Sequence, residues 1–357
     1  MQVFTSAPGK LVVLGEYAVL HGAPALIMAI NRRAEVRVTP VAKGLNRVDS
    51  LGSGIESAHF MFDGGIRWHH ASRQTQERMQ LVTHIMQFFA NNENCQRLCF
   101  PTFHVRLDTS GFFSPSECGR SKLGLGSSAA LTIALASALV IFGGAEEALT
   151  DRHTWLARVL VLYKNFQDGS GSGLDLAASL YGNVIRYALS SSRGAPDVRF
   201  INLPRGIHTV FIWSGQPTST PQFLKRLHSW RLQQPGQYDS VMQELAAIAD
   251  MGIVAVEEDN AAAFVDTVKL YSAALKRFGE ESAVEIFSSE HRHIEKLVAS
   301  LGAAYKPCGA GGGDIGMAIT MDPEVASLLS KRIARAGYQV VPLQVDKVGL
   351  KTQTITE

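Results

Sequence analysis

Cysteine is scarce. The chain has four in 357 residues, Cys95, Cys99, Cys118 and Cys308, with neither Cys-x-x-Cys pairing nor the density of a disulfide-stapled secreted domain, so reduced thiols are expected. An excess of one charge is missing too. Thirty-four Lys and Arg stand against thirty-two Asp and Glu, a net +2, which gives no global field for nucleic acid or an anionic membrane and leaves any anion site to be local. Long apolar runs are absent. The longest, 129–143, is interrupted by Thr132 and Ser137 and is shorter than the ~20 residues of a membrane-spanning helix. The opening "MQVFTSAPGK" lacks a basic flank leading into an apolar segment, so no signal peptide is expected. These absences lead to the expectation of a cytoplasmic protein whose partners are small molecules, with no nucleic acid and no membrane, as a monomer or homodimer.

Complete sets of metal ligands are lacking as well. His69-His70, His291 with His293, and Cys95 with Cys99 have no zinc-site spacing, and surface or core positions account for them. There is no internal repeat and no low-complexity tract.

The chain has an apolar share of 46% with 18% charged residues over 357 positions, which is more than one ordinary core supports, so two packed domains are expected. Stretches 10–20 and 25–38 read as strands, 43–65 as weakly patterned, and 72–92 as a helix through Met79, Val82, Ile85, Met86 and Phe89. "FHVRLDTS" reads as a strand followed by a polar loop over 114–122. Helices are expected at 129–142, 151–167, 174–181, 221–231, 239–258, 260–278, 283–300 and 324–335. "HTVFIWSG", "DIGMAITM" and "YQVVPLQV" read as strands. "SSSRGAPD", between Ser190 and Ile207, marks the seam.

Glycine is plentiful, with 32 residues, and three segments concentrate it: "SAPGKLVVLGEY" (6–17), "KLGLGSSAAL" (122–131) and "KPCGAGGGDIG" (306–316). In "LGLGSSAAL" the glycines allow three readings: a dinucleotide turn, a nucleoside triphosphate cradle, or a corner before a helix. A dinucleotide fingerprint needs a buried strand directly before its first glycine, and "SPSECGRSK" reads as a loop. Glu146 and Glu147 downstream do not repair that. A glycine loop entering a helix exposes backbone N–H groups to phosphate oxygens, with Ser127 and Ser128 placed to cap the helix or reach a metal. "GAGGGD" carries a high entropic cost unless its backbone approaches something closely. "DGSGSGLDLAASLYG" (168–182) puts Asp175 in the first turn of another helix, where the dipole favours an acid. A phosphoryl-transfer site combines these parts: a fixed cation, a carboxylate near the acceptor, and backbone donors around the phosphates.

The three glycine segments, in this order, resemble the motifs of the GHMP small-molecule kinases across nearly the whole chain. The resemblance implies an α+β, two-domain GHMP kinase fold, with an N-terminal β/α domain (1–200), a C-terminal ferredoxin-like α/β layer (201–357), and the active site in the cleft between them. It implies ATP and Mg²⁺ as cofactors. Lys10 and Asp175 would be the catalytic pair, Gly124, Leu125, Gly126, Ser127, Ser128 and Ala129 would hold the phosphates, and Ser128 would offer a metal ligand.

Within the family the phosphomevalonate kinase branch looks nearest. The features that suggest it are Lys122 before the phosphate motif, "WSGQPTSTP", and Asp314 where mevalonate kinases usually carry glycine. Ile315 and Asn31 depart from its common residues, and Lys164 stands about where mevalonate kinases have a glutamate. Lys122, Ser172, Ser219, Thr220, Gly311, Gly312 and Asp314 would then contact a phosphorylated isoprenoid precursor. Mevalonate, another small-molecule acceptor, or a non-catalytic nucleotide sensor are the alternatives. A phosphate monoester is already ionised near neutrality, so such an acceptor calls for cations rather than a base. Lys10 and Lys122, with Arg120 or Arg32, are placed to supply them.

Overall fold

The computed structural model describes residues 1–63, 65–91, 100–116, 119–167, 169, 171–189, 196–218 and 220–355. Cys95, Cys99, Cys118 and Ser219 lie outside them, as does 190–195 of the expected seam.

The first half is laid on one long hairpin, β1 (Gln2–Leu14) with β2 (Ala25–Pro40). Their register slips between Pro8 and Gly9, where Asn31 and Arg32 form a bulge on β2, so Pro8 sits at an irregularity where its missing N–H is tolerated. Strands β3 (Asn46–Ser50), β4 (Ile55–Phe62) and β5 (Ile66–His69) continue the sheet through the stretch that looked unpatterned. Helices α1 (Arg73–Arg78) and α2 (Gln80–Asn91) divide the expected single helix at Met79. Strand β6 (Phe103–Asp108) follows, then the hairpin β7 (Phe113–Ser116) and β8 (Gly119–Lys122). Helices α3 (Ser127–Phe142), α4 (Arg152–Phe166) and α5 (Leu174–Tyr181) come next, then β9 (Val184–Ala188) and β10 (Asp197–Phe200).

The nine-stranded sheet runs β10-β9-β2-β6-β3-β4-β5, with β1 on β2, and only β3–β6 is parallel among its described pairs. Helix α3, with 14 of its 16 residues buried, packs on β1 and β2. An apolar run with no polar face needs cover on all sides, and α2, α4 and α5 complete it.

In the second half, β11 (His208–Trp213) leads into α6 (Thr220–Gln233), α7 (Pro235–Glu257), α8 (Ala261–Ser282) and α9 (Ser289–Ala299). Then come β12 (Ala304–Pro307), β13 (Ile315–Thr320), α10 (Pro323–Arg335) and β14 (Gln339–Val340). The sheet order β12-β13-β11-β14 is that of the split βαβ arrangement, as expected for a ferredoxin-like layer. One hydrophobic cluster unites this sheet and its helices with Leu11, Val13, Leu14, Tyr17 and Met28 of the first hairpin.

Several sequence expectations need correction. The strand expected over 10–20 ends at Leu14, because Gly15 (φ 94°) and Tyr17 (φ 63°) turn the chain into the 3-10 segment Ala18–His21. The polar "loop" 114–122 contains the hairpin β7–β8, so a strand does precede the glycines. That strand pairs with β7 in a separate two-stranded ribbon rather than lying in the buried sheet. Ala283 turns left-handed (φ 53°), so α9 starts at Ser289, where Ser288 Oγ accepts the His291 N–H. "YQVVPLQV" forms a strand at Gln339–Val340 and a single bridge from Val345 to Ile30, and a final strand β15 (Lys351–Ile355), not expected from sequence, returns to pair with β1.

Candidate active site

The phosphate loop begins at Leu123 and Leu125, whose buried side chains anchor it in the core. Gly124 (φ 74°) and Gly126 (φ 77°) supply left-handed turns between them. Helix α3 then starts with Gly126 as N-cap and no side-chain cap, so its first-turn N–H groups keep their capacity for an anion. Ser127 is buried and Ser128 half-buried in that turn, with Ala129 buried behind them.

Lys10 is tied to this loop at both backbone and side chain. Its N–H donates to Leu125 O at 2.9 Å. The approach is possible because residue 9 is glycine: a Cβ there would lie 2.5 Å from both Leu125 O and the Phe112 ring. The Lys10 stem runs past Gly126, where a Cβ would be 3.0 Å from Lys10 Cγ, and its ammonium reaches toward Gly309, where a Cβ would be 3.8 Å from Nζ. Lys10 therefore spans from the second glycine segment to the third.

Asp175 sits in the first turn of α5 behind Gly173 (φ 78°). Its Oδ1 accepts the Leu176 N–H at 3.0 Å, and the Tyr163 hydroxyl donates to the carboxylate. Burial raises its pKa, against the Lys10 charge, which lowers it. Ser172 is buried and turned to local structure: its carbonyl accepts the Tyr187 hydroxyl and its Oγ lies 3.5 Å from the Leu174 N–H.

Asp314, with a left-handed backbone (φ 57°), joins three loops. Its N–H donates to Gln216 O at 2.7 Å, its carbonyl accepts the Ser214 N–H at 2.9 Å, and its Oδ1 accepts the Thr218 N–H at 3.1 Å. The other face of the carboxylate lies over Gly124, where a Cβ would be 2.3 Å from Oδ2. Burial pushes its pKa up to about 6, against the Thr218 N–H, Lys10 and Lys122, which pull it down. Lys122 is exposed by surface area, yet desolvation lowers its pKa and the Asp314 charge raises it.

Gly311 and Gly312 are used against the protein itself. A Cβ on Gly311 would meet Ile286 O at 2.6 Å, one on Gly312 would meet Phe223 Cζ at 2.3 Å, and the Gly312 N–H already donates to Ile286 O at 2.7 Å. Thr220 opens α6, and its side chain lies outside the described part. Arg33, grouped with Arg32 in the sequence, is a structural clamp on Asp346, the Ser6 carbonyl and the Gly349 carbonyl.

Sequence reasoning missed what holds the third loop. The fully buried Lys306 ammonium pairs with Glu16, whose Oε1 also accepts the Gly309 N–H at 3.2 Å, and the Tyr17 hydroxyl donates to Ala310 O. The His291 ring bonds Gly313 O and the Tyr305 hydroxyl, both at 2.7 Å. A carbonyl can only accept, so Nε2 carries the proton, and burial pushes this histidine down to about 4, leaving it neutral. The only available signal was a lone acid inside "KLVVLGEYAVL" and a lysine next to the third motif, since charges in apolar company are expected to be paired.

Residues 82–183 match the family of GHMP kinase N-terminal domains. The chain is 28% identical to a phosphomevalonate kinase of Streptomyces sp. (strain CL190), over 94% of this chain and 95% of that protein. It is 22% identical to a mevalonate kinase of Schizosaccharomyces pombe, over 89% and 82%. Among solved structures it superposes on Streptococcus pneumoniae phosphomevalonate kinase, determined with phosphomevalonate and AMPPNP, with a TM-score of 0.77 at 17% identity, covering 97% of this chain and 99% of that one.

Proposed function

We propose that the chain, a phosphotransferase similar over residues 82–183 to GHMP kinase N-terminal domains and along its length to a phosphomevalonate kinase, transfers the γ-phosphoryl group of ATP to (R)-5-phosphomevalonate, giving the 5-diphosphate. One observation carries the acceptor assignment. Lys10, bonded through its N–H to Leu125 O, and Lys122, at the end of the strand that leads into the phosphate loop, both act electrostatically on one carboxylate, Asp314, which lies over Gly124. Two cations converging on one point suit the meeting of two phosphates, whose repulsion is the main obstacle to such a transfer.

The uncapped start of α3, with glycines that a side chain would obstruct, fits the phosphates of a nucleotide. For Mg²⁺ the chain offers the Ser128 hydroxyl. Among the described residues no group of three or more His, Cys, Asp or Glu is placed to hold a metal, so the nucleotide's phosphate oxygens would provide most of its ligands. When bound, Mg²⁺–ATP supplies the phosphoryl group and neutralises charge on it. The chain's own residues hold and orient: Lys10, fixed through Leu125, sits at the loop where charge develops, and Asp175 orients Lys10 and faces the acceptor side. Lys122 holds the acceptor phosphate.

Coupled assays with phosphomevalonate and mevalonate in parallel test this reading. Acceptor-dependent ADP release with phosphomevalonate is expected. Turnover of mevalonate alone would move the chain to the other branch, and ATP binding without acceptor-dependent turnover across a broad panel would make it a sensor.

A further inference from the structure

The two oxygens of Asp314 face different loops. Oδ1 holds the backbone of the 214–218 loop through the Thr218 N–H at 3.1 Å, while Oδ2 lies over Gly124 of the phosphate loop. The residue is locked in place by two further backbone bonds, Asp314 N–H to Gln216 O at 2.7 Å and Ser214 N–H to Asp314 O at 2.9 Å. Its left-handed backbone, rare outside glycine and tolerated best by Asn and Asp, puts a carboxylate against the loop proposed to receive phosphate.

An anion resting there opposes a second anion. The charged groups facing it are Lys10 from β1 and Lys122 from β8. The 214–218 loop meets it through the Thr218 N–H, and the phosphate loop through Gly124. Behind it, His291 of α9 is bonded to Gly313 O and is neutral, so it gives no compensating charge. When phosphates take up Lys10 and Lys122, the carboxylate loses both cations and gains anionic neighbours.

We propose that Asp314 is a positioning residue that latches the 214–218 loop to the phosphate loop, and that it takes up a proton when nucleotide and phosphorylated acceptor bind. This deepens the kinase reading and rests on it. The step balances simply: one proton passes from buffer to Oδ2, the carboxylate becomes a neutral carboxyl, no electrons move, and the new O–H donates to a phosphate oxygen while Oδ1 keeps the Thr218 N–H. The high starting pKa of the empty site, about 6, leaves a rise of about three units to nearly full protonation at pH 8.

Titration calorimetry of the full chain with Mg²⁺–AMPPNP and then phosphomevalonate, in buffers of low and high ionisation enthalpy, counts the protons. At pH 8 the ligands' own phosphates, with second pKa values near ~6, are already ionised. Uptake approaching about one proton per site is expected once both ligands are bound. Asp314→Asn, whose amide oxygen can still accept from Thr218, should bind both ligands with that uptake abolished. Binding of both by the wild-type chain without proton exchange, or unchanged uptake in Asp314→Asn, overturns the proposal and leaves the kinase reading intact. Failure of both ligands to bind overturns the two together. Should the variant not fold, the carboxyl carbon of Asp314 in isotopically labelled wild-type protein reads the same event: its titration midpoint should rise by about three units with ligands bound, and an unmoved midpoint is contradictory.

Discussion

Lys10 donates its backbone N–H to the carbonyl of Leu125 at 2.9 Å, so the strand carrying the proposed catalytic cation and the loop proposed to hold the phosphates are one mechanical piece. Their geometry does not depend on a ligand arriving. Gly9 makes the contact sterically possible, and the bulge opposite it on β2 lets β1 bend toward the loop.

Gly126→Val should damage nucleotide binding more than folding. The residue has φ 77°, and a Cβ would stand 3.0 Å from Lys10 Cγ. A β-branched residue there displaces both the loop and the lysine, and ATP affinity should fall by about tenfold or more. Calorimetric binding beside a melting curve checks this. An unchanged dissociation constant in a folded variant would reduce the turn to a corner before a helix.

Breaking one half of the buried pair Glu16–Lys306 should destabilise the chain strongly. A buried charge left without its partner typically costs about 3–5 kcal/mol. Lys306→Met and Glu16→Gln should each show a loss of that order in denaturant unfolding. The double variant should lose less than the sum, because no orphan charge remains. Strictly additive losses would contradict the pairing.

Stability should depend on pH through Asp314. Its folded pKa, about 6, exceeds the ~3.9 of an unfolded aspartate, so the native state binds the proton more tightly. The stability this gives is full below about pH 4 and is lost as the pH rises through about 6, a difference of at most about 3 kcal/mol. Asp314→Asn should flatten that slope and be the more stable protein at pH 7. Parallel slopes in the two proteins would remove the residue from the account.

How far the sequence reveals this molecule depends on whether the cause of each feature is local. Helix α3 was legible because an unbroken apolar run behind two glycines has one sensible place to go, and α5 because its glycine turn and acid mark a start. Strand β15 was not: all five residues are exposed, with no alternation to read, and its existence rests on pairing with β1 more than three hundred residues away. The hairpin β7–β8 is polar and gains its strand character only from its own pairing. The same division holds in the candidate site. The glycines of the phosphate loop stood out because backbone sterics demand them there, and Lys10 and Asp175 because they lie in segments that resemble the motifs of GHMP kinases. The Glu16–Lys306 pair joins positions 290 apart, and the contacts of Ser172, Gly311 and Gly312 with Tyr187, Ile286 and Phe223 likewise join segments that the sequence does not show to be neighbours.

Asp175→Asn distinguishes two kinds of acceptor. An alcohol needs a base, whose loss costs about 10²–10⁴-fold in turnover, whereas an ionised phosphate needs none. With phosphomevalonate the loss should stay below about 10²-fold, and the acid limb of the rate profile should persist in the variant, since it reports the acceptor's own ionisation near ~6. Disappearance of that limb would make Asp175 the base.

The central claim, that Lys122 and Lys10 prepare this site for a phosphorylated acceptor, is tested most directly by steady-state kinetics of Lys122→Ala with phosphomevalonate and ATP varied separately. Loss of one charge-assisted contact predicts a KM for phosphomevalonate raised about 10–100-fold, with the KM for ATP changed less than about threefold. A normal KM for phosphomevalonate beside a raised KM for ATP would place Lys122 on the donor side and contradict the account.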